Sequence, residues 1–355
     1  MVRRVLLCSL LLVALSSCSG KDDDATGEQK RATVTFMVTP NGLGDNGYND
    51  EAAEGVFAFA FQTGTRLHML QPGSEEEAGQ MYSRWLSENA EKDSVVLIIG
   101  SSVYEQEARK VSAAHQALLA SLRRHGGRVL LFETEAAIDG INTMSVSRYG
   151  ASYLCGAMSG SFDALVLSAV KGNPLLESSI DGFMEGYNAH RSGDTNAEVV
   201  YLSDNASGFA MPDSAYHVMS ARIAGAPVYR DMVFPLLGGS GIGVLRAMND
   251  EEANLGLIIG MDVDQSALSS RVPFSLVVHT GEVLHRYLDD WLRGVEWPAT
   301  SKAGLADGGT DIMLHPSFYE NNAPMDDRYR DPQTFRRLYD RYRDEAVRKE
   351  EEHER

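Results

Sequence analysis

This chain of 355 residues contains only three cysteines and nine histidines. Three cysteines are too few for a disulfide framework, and no cysteine–histidine pattern has the spacing of a zinc site. Cys155 is expected to be a small core residue. No Ser-His-Asp or Cys-His arrangement can be proposed from spacing, so the sequence indicates no metal, no cofactor and no enzyme active site.

Basic residues are also scarce. The chain carries 32 lysines and arginines against 50 aspartates and glutamates, which gives a formal net charge of −18. Such a surface repels nucleic-acid phosphates, which excludes a nucleic-acid partner. About 320 residues lie beyond the N-terminal segment, too many for one hydrophobic core and suited to two lobes.

An apolar run near the N-terminus is too short to span a bilayer as a helix. It covers residues 5–15, follows two arginines and precedes small residues, so residues 1–17 are predicted to be a secretory signal peptide. The Leu-Ser-Ser-Cys sequence that ends at Cys18 resembles a bacterial lipobox, in which the cysteine is acylated after cleavage. Lipidation would anchor the mature protein to a membrane. An ordinary signal peptide with an incidental cysteine is the alternative.

The segment that follows the leader is polar and charged. Residues 18–31 are therefore predicted to be a flexible tether. The Lys-Asp-Asp-Asp run from Lys21 resembles the export signal of surface lipoproteins in Bacteroidetes-type bacteria, although solvated linker charge explains it equally well. We expect a lipid-anchored protein of the cell envelope, on the outer membrane or cell surface. A location on the periplasmic face of a membrane is the alternative.

The remainder of the chain alternates predicted strands and helices. Alternation with short loops is typical of parallel, doubly wound α/β sheets, and two successive series indicate two Rossmann-like lobes joined by a hinge. Helices are expected at residues 75–89 and 105–121, among others, and the hinge near residues 145–149. The predicted strands cover residues 33–38, 66–70, 95–99 and 129–132, then 164–168, 198–202, 231–237, 255–259 and 274–279.

These elements suggest a division of the chain. From residue 326 onwards charged residues dominate, and we expect either a helix packed lightly on the body or a frayed, solvated tail, with no assigned function. The expected parts are residues 32–147 plus about 264–293 for the first lobe, 148–263 plus about 294–320 for the second lobe, and 321–355 for a charged C-terminal tail.

The loop that follows the first strand, residues 40–50, is the strongest signal of a binding site. Its three glycines let the backbone turn sharply and approach a ligand closely. Asp45, Tyr48 and Asn49 add a carboxylate, an aromatic face and an amide. In open α/β sheets such a loop lies at the carboxyl ends of the strands, where small molecules bind.

Three later positions also lie near predicted strand ends. Gly239 belongs to a glycine run at residues 238–243 that is neither a dinucleotide fingerprint in register nor a P-loop. The N–H groups of this run could donate to a ligand oxygen, or the run is a tight turn. Asp262 could accept two hydroxyls of a sugar, and Asp264 could serve the hinge. His279 ends the late strand and could face the cleft, although a lone histidine is more often structural.

Six short segments occur in an order that is hard to obtain by chance. They lie at residues 40–50, 145–157, 182–186, 238–243, 260–265 and 304–309 and include Gly-Phe-Met-Glu-Gly, Gly-Met-Asp-Val-Asp-Gln and Gly-Leu-Ala-Asp-Gly-Gly. Together they resemble the motifs of the basic membrane protein family, the PnrA-like purine-nucleoside-binding lipoproteins. The resemblance runs from about residue 33 to residue 313. It implies a type I periplasmic-binding-protein fold, whose two lobes close on a nucleoside like a hinge.

The resemblance also implies roles for individual residues. Tyr48 would stack on the base and Phe209 would supply the opposite face, and stacking is worth on the order of 1–3 kcal/mol per base. Asn49 and Asp262 would contact the ribose, and the backbone of Gly239 would approach the ligand.

Further positions concern the base. Glu107 roughly matches an acid that reads the edge of the base. The chain departs from the family at Asn46 and His279, because the family often carries lysines at the matching positions. The sequence therefore leaves the identity of the base open.

These expectations lead to one leading function and two alternatives. The leading hypothesis is a lipid-anchored, non-enzymatic solute-binding protein that captures a nucleoside, a purine one in the first instance, for uptake with an ABC-type permease as partner. The first alternative is a ligand-sensing module that signals to a membrane partner. The second is a nucleoside hydrolase.

Overall fold

The computed structural model describes residues 32–39, 42–44, 47–250, 255–319, 331 and 333–355, and strands and helices alternate along them. In chain order the strands are β1 (Thr33–Met37), β2 (Arg66–Leu70), β3 (Val95–Ile99), β4 (Arg128–Phe132), β5 (Asn142–Val146), β6 (Ala164–Val170), β7 (Ala197–Ser203), β8 (Met232–Leu236), β9 (Leu257–Ile258), β10 (Gly260–Asp262), β11 (Phe274–Val278), β12 (Thr300–Ala303) and β13 (Thr310–Leu314). The helices are α1 (Tyr48–Thr63), α2 (Glu75–Asn89), α3 (Glu105–Ala114), α4 (Gln116–Arg124), α5 (Tyr149–Ser159), α6 (Pro174–His190), α7 (Pro212–Ala224), α8 (Gly241–Asp250), α9 (Thr280–Leu292) and α10 (Thr334–His353).

Several predicted features lie outside the described residues. They are the signal peptide, the lipobox cysteine Cys18, the tether at residues 18–31 and two loop residues, Asp45 and Asn46. Among the helices that the structure describes, none has the length and apolar composition needed to cross a membrane.

The first sheet has the strand order β12-β5-β4-β3-β1-β2, and every pairing in it is parallel. Strand β3 has the sequence VVLII and is buried throughout, as expected for a parallel strand covered on both faces. Alternate side chains enter different cores, with Phe36, Val96 and Leu130 in one and Met37 and Leu97 in the other. Burial of each such side chain contributes roughly 1.5–3 kcal/mol.

The other strands form a four-stranded and a three-stranded sheet. The order is β7-β6-β8-β9 in the first of these and β10-β11-β13 in the second, where β13 runs antiparallel. Only Ile259 separates β9 from β10, and its N–H donates to the carbonyl of Val233 in β8. The chain therefore passes directly from the four-stranded sheet into the three-stranded sheet. We call the six-stranded sheet with its helices the first lobe, and these two sheets with their helices the second lobe.

The chain passes between the lobes at three crossings. Strand β5 leads into α5, which packs on α6; β11 leads into α9, which packs on α1; and β12 leads into β13. This differs from the predicted division at two segments. Strand β11 pairs within the second lobe although residues 264–293 were expected in the first, and β12 pairs with β5 although residues 294–320 were expected in the second. Pairing partners decide where a strand belongs, and hydrophobic periodicity does not encode them.

Two helical segments also differ from the simplest expectation. The helix predicted at residues 105–121 is interrupted at His115, which separates α3 from α4. The charged C-terminal segment forms α10, which packs on α5 and buries Phe335, Ala346 and Glu350. Of the two alternatives for this segment, the structure shows the packed helix.

Candidate functional site

A narrow cleft lies between the lobes at the carboxyl ends of strands β1, β8 and β10. Gly47 and Tyr48 of the first lobe face Gly238, Met261 and Asp262 of the second. The space between them is about 20 Å³, roughly what one water molecule needs. A sugar or nucleoside therefore enters only if the lobes separate or the lining side chains move.

Tyr48 forms the wall of the cleft on the first lobe. It is the first residue of α1 and is half-buried. Its hydroxyl donates to the carbonyl of Gly100, just beyond β3, at 2.7 Å, and its ring centroid lies 6.2 Å from that of Phe132. The ring is therefore a fixed flat surface beside the cleft. This position suits the stacking role that the resemblance implies, and the role itself stays a prediction.

Asn49 is buried and its amide closes the loop that carries Tyr48. Its Oδ1 accepts from the N–H of Thr39 at 3.1 Å, and its Nδ2 donates to the hydroxyl of Thr39 at 2.8 Å. The amide thereby ties the start of α1 to the end of β1. A ribose contact by Asn49 stays a prediction, and the contacts in the structure give this residue a role in holding Tyr48 in place.

A cluster of three charged side chains lies at the cleft, and the sequence analysis found only one of them. Arg148 Nη1 donates to Glu133 Oε2 at 2.8 Å, and Arg148 Nη2 lies 3.9 Å from Asp262 Oδ1. We call Glu133, Arg148 and Asp262 the cleft cluster. Glu133 follows β4 in the first lobe, Arg148 lies on the first crossing, and Asp262 ends β10 in the second lobe. One guanidinium therefore connects carboxylates of both lobes.

The cleft cluster holds two carboxyl groups around one guanidinium. Burial raises the pKa of the Glu133 carboxyl, and Arg148 opposes that shift. Burial alone would lower the pKa of Arg148, but Glu133 and Asp262 raise it, so the guanidinium stays charged. Glu133 Oε1 is buried and accepts no hydrogen bond from the described residues. Such an unmade bond costs about 1–3 kcal/mol, so the cluster retains an acceptor to which no described residue donates.

The backbone is strained at both carboxylates of the cluster. Glu133 has φ of 67° and Asp262 has φ of 66°, in the left-handed region that non-glycine residues rarely adopt. Each such residue costs on the order of 1–3 kcal/mol and is found mainly where the strain serves a site. Glu133 directly follows β4 and Asp262 is the last residue of β10, and both carboxylates lie within 4 Å of the Arg148 guanidinium.

The turn that carries Asp262 is held by its own side chains. The Gln265 side-chain carbonyl accepts from the N–H of Met261 at 3.1 Å, and the Gln265 N–H donates to the hydroxyl of Ser275 at 3.2 Å. Asp264 does not join the cleft cluster, since its Oδ1 accepts from Ser266 N–H and lies 3.3 Å from His315 Nδ1. The hydrogen bonds of Gln265 thus stabilise the turn that carries Asp262.

Phe209 and the glycine run lie together on the second lobe. A Cβ on Gly238 would come within 3.2 Å of the Phe209 ring, and one on Gly239 within 3.2 Å of the Phe209 carbonyl. Gly238 also has φ of 51°, so a side chain there would be strained. Phe209 therefore packs against the glycine loop, and Gly238 of this loop faces Tyr48 across the cleft. Its contact with a base, and the approach of Gly239 to a ligand, stay predictions.

Two predicted site residues have their contacts elsewhere. Glu107 pairs with Lys110 on its own helix and packs against Gly79 of α2, in the layer between α2 and α3. His279 occupies the N-cap position of α9 on the second crossing without a side-chain capping bond, and its Nδ1 lies 3.8 Å from Glu282 Oε1. Neither residue lines the cleft. Within the described part of the chain, no group of three side chains could hold a metal ion.

Comparison with known proteins gives matches among solved structures alone. No protein-family model matches the chain, and no curated protein matches it. The resemblance to the PnrA-like family therefore stays a prediction.

Three solved structures illustrate the similarity. An ABC transporter system solute-binding protein from Aeropyrum pernix K1 is 15% identical, with 91% of this chain and 90% of that chain covered and a TM-score of 0.66. A transcriptional activator of the comK gene from Bacillus halodurans is 14% identical, with 88% and 97% covered and a TM-score of 0.61. An ABC transporter periplasmic solute-binding protein from Actinobacillus succinogenes 130z with bound D-allose is 10% identical, with 82% and 100% covered and a TM-score of 0.61. The predicted fold class is confirmed: the chain has the two-lobed α/β fold of type I periplasmic binding proteins.

Proposed function

We propose that this protein is a solute-binding protein whose lobes close on a small polyhydroxylated molecule, a nucleoside in the first instance. The observation that carries the proposal is the cleft cluster beside Tyr48. Asp262 is 18% exposed, the most accessible of the three charged side chains, and lies where a ligand would enter. Binding rather than chemistry fits this arrangement, because the cluster offers acceptors and donors but no nucleophile with a paired base.

The cluster matches the chemistry of a vicinal diol. Each sugar hydroxyl can donate to a carboxylate oxygen and accept from a guanidinium N–H at the same time. The free Glu133 Oε1 supplies one such acceptor and Asp262 supplies others. The Tyr48 ring adds a flat apolar face, on which a purine base stacks. A ligand with both a diol and an aromatic base uses every feature of the cleft.

Lobe movement and location complete the proposal. We divide the lobes at the three crossings, near residues 147–149, 279 and 304–309. Opening about these crossings admits the ligand, and closing brings Tyr48 and Phe209 to opposite sides of it. Acylation at Cys18 would place the protein in the cell envelope beside an ABC-type permease. Several fold relatives, among them the Actinobacillus succinogenes protein with D-allose, are described as ABC transporter components.

Isothermal titration calorimetry against a mixed panel tests the function. The panel holds purine and pyrimidine ribonucleosides, free bases, D-ribose and D-allose. Heat with purine ribonucleosides, and none with free bases, supports the proposal. Heat only with the free sugars would move the ligand class to sugars. No heat with any member, from protein that is folded by circular dichroism, would overturn the proposal.

Sensing is the second candidate, because one fold relative is named as a transcriptional activator. In that case the same cleft would bind the same ligand, and the output would be a contact with a membrane signalling protein rather than delivery. Affinity purification from crosslinked membranes with and without adenosine separates the two. Recovery of permease subunits supports uptake, and recovery of a membrane kinase supports sensing.

A further inference from the structure

Glu350 is buried at 3% exposure although it opens a run of three glutamates near the C-terminus. Its neighbour Glu351 is exposed. A buried carboxylate is costly unless it is hydrogen-bonded, so the side chain needs partners that compensate for the lost water. All of its hydrogen-bonding partners come from two of the three crossings between the lobes.

Each carboxylate oxygen of Glu350 binds a different crossing. Oε1 accepts from the N–H of Gly150 at 3.1 Å, and Oε2 accepts from the N–H of Leu305 at 2.7 Å. The side chain of Ser147 is a further hydrogen-bond partner. Ser147 and Gly150 belong to the first crossing, and Leu305 belongs to the third. One side chain from the end of the chain therefore joins two segments that lie far apart in sequence.

Two glycines of the crossings, which have no side chain, provide the space that this carboxylate occupies. A Cβ on Gly150 would lie 3.0 Å from the Cβ of Glu350, and a Cβ on Gly304 would lie 2.5 Å from Glu350 Oε2. The second distance is shorter than real contacts allow, so any other residue at Gly304 would displace the carboxylate. The late Gly-Leu motif of the sequence thus forms half of a cradle for Glu350.

The need for Glu350 follows from the residue that precedes α5. Arg148 occupies the N-cap position, where Ser, Asp or Asn normally accepts from an N–H of the first turn, and it makes no such bond. Its side chain is instead committed to the cleft cluster. Gly150 is the second residue of α5, and its N–H is one of those that an N-cap side chain would satisfy. Glu350 accepts that bond, and its charge lies at the positive end of the helix dipole.

The rest of α10 holds Glu350 in place. Glu345 accepts from the hydroxyl of Tyr153 at 2.7 Å, and the ring of His353 stacks on that of Tyr149 at 3.9 Å. Lys302 of β12 pairs with Glu354 at 3.2 Å, which reaches into the first lobe. Contacts with α5 therefore lie before and after Glu350 in the sequence, and a contact with β12 lies after it.

We infer that Glu350 is a positioning residue of the binding site: it caps α5 in place of Arg148, joins the first and third crossings, and thereby holds Arg148 in the cleft cluster. The effect on ligand affinity rests on the proposed function. The joining of the crossings does not, so the two can be tested separately.

Hydrogen exchange of the ligand-free full chain tests the joining of the crossings. In Glu350→Ala, the peptides that contain Gly150 and Leu305 should both exchange about tenfold faster than in the native protein, since each loses an acceptor worth about a factor of ten. Glu351→Ala is the matched control and should exchange as the native protein does. Unchanged exchange at both peptides would overturn the inference.

A second variant covers the case in which Glu350→Ala does not fold. Glu350→Gln keeps one acceptor oxygen and places an NH2 group against the other N–H, so faster exchange is expected at one crossing and not at both. No change at either crossing, or an equal change throughout the protein, would contradict the inference.

Titration with adenosine and 2′,3′-dideoxyadenosine tests the action through Arg148. Because Arg148 is proposed to bind the ribose diol, Glu350→Gln should weaken adenosine binding about tenfold and leave the dideoxy analogue unaffected. Equal weakening of both would show a general structural effect and overturn the positioning role. If adenosine fails to bind the native protein, the proposed function fails, and hydrogen exchange still decides the joining of the crossings.

Discussion

Two buried glutamates of the described residues, Glu133 and Glu350, contact the crossings between the lobes, and their surroundings are opposite. Glu350 has an acceptor bond on each oxygen, and glycines provide its space. Glu133 has one oxygen bonded to Arg148 and the other without a hydrogen bond from the described residues, on a strained backbone. Both acids are removed from water, yet only one is satisfied by the protein.

We propose that this difference separates a residue that stabilises the structure, Glu350, from one that binds a ligand, Glu133. A carboxylate whose oxygens are all bonded stabilises the segments that donate to it. A buried carboxylate with an unmade bond and a strained backbone costs free energy, and such costs persist mainly at functional sites. The comparison therefore predicts that changes at the cleft cluster alter binding, whereas changes at Glu350 alter first the coupling of the crossings.

The largest effect is expected for Arg148→Met. This change leaves Glu133 and Asp262 without their cation, and breaking a buried ion pair in this way costs about 3–5 kcal/mol of unfolding free energy. Urea unfolding measures the loss. Exposed Arg293, paired with Asp290, is the control, and Arg293→Met should cost less than about 1 kcal/mol. Similar losses in the two variants would show that the cleft cluster is not a buried ion-pair network.

Paired amide substitutions test the comparison itself. Glu133→Gln removes one of two carboxylates around a single cation, so we expect a change in stability within about 1 kcal/mol and a loss of at least tenfold in ligand affinity. Glu350→Gln should lower the unfolding free energy by about 1–3 kcal/mol, because an N–H of the backbone loses its acceptor, and this loss accompanies the roughly tenfold weaker adenosine binding expected above. Chemical unfolding measures the stability of both variants, and calorimetry measures their affinities. If the two variants lose the same unfolding free energy, the distinction fails.

Substitutions of Tyr48 test whether residues of the cleft bind the ligand. Tyr48→Ala removes the flat face of the cleft and should weaken nucleoside binding by about 1–3 kcal/mol. Tyr48→Phe keeps the ring and loses only the hydrogen bond to Gly100, so binding should fall by less than tenfold. Titration of both variants with adenosine checks the order. Equal losses would mean that the hydroxyl, rather than the ring, matters.

The smallest effect is expected for a third buried group, His315. Its Nε2 lies 2.9 Å from Ser275 Oγ and its Nδ1 lies 3.3 Å from Asp264, and burial lowers its pKa below 6.5 while Asp264 opposes the shift. The neutral ring is favoured in the folded state, so its contribution is present above pH 6.5 and is lost as the pH falls through the folded pKa.

Unfolding free energies at pH 7.5 and pH 5.5 measure this effect. The native protein should lose more stability between the two values than His315→Gln does. His68 is exposed, and His68→Gln should follow the native protein. An equal loss in the native protein and in His315→Gln would show that His315 does not contribute to the pH dependence.

The sequence was sufficient for most strands of both lobes, because buried parallel strands are largely apolar: β3 is a continuous apolar run, and β6 is interrupted only by Ser168. It also predicted that Tyr48 and Asp262 lie at the carboxyl edge of the sheets, where both line the cleft, while their contacts with a ligand stay predictions. The same rule would have found Glu133, an acid directly after the apolar strand β4. Arg148 carried a weaker signal, a single arginine between a buried strand and a buried helix.

Other features depend on contacts that no local pattern records. The resemblance implies that Glu107 reads the edge of a base, yet in the structure this residue packs against Gly79 of α2. Glu350 lies in a run of three glutamates, where composition favours a solvated tail. Its role comes from Gly150 and Leu305, which lie about 200 and 45 positions away in the sequence.

The central claim is that the cleft cluster binds the diol of a ligand, and one calorimetric comparison tests it directly. The native protein is titrated with adenosine and with 2′,3′-dideoxyadenosine, which differ only in the two ribose hydroxyls. Loss of hydrogen bonds to charged groups predicts that adenosine binds at least about 100-fold more tightly. Equal affinities for the two, or no heat with adenosine, would contradict the account.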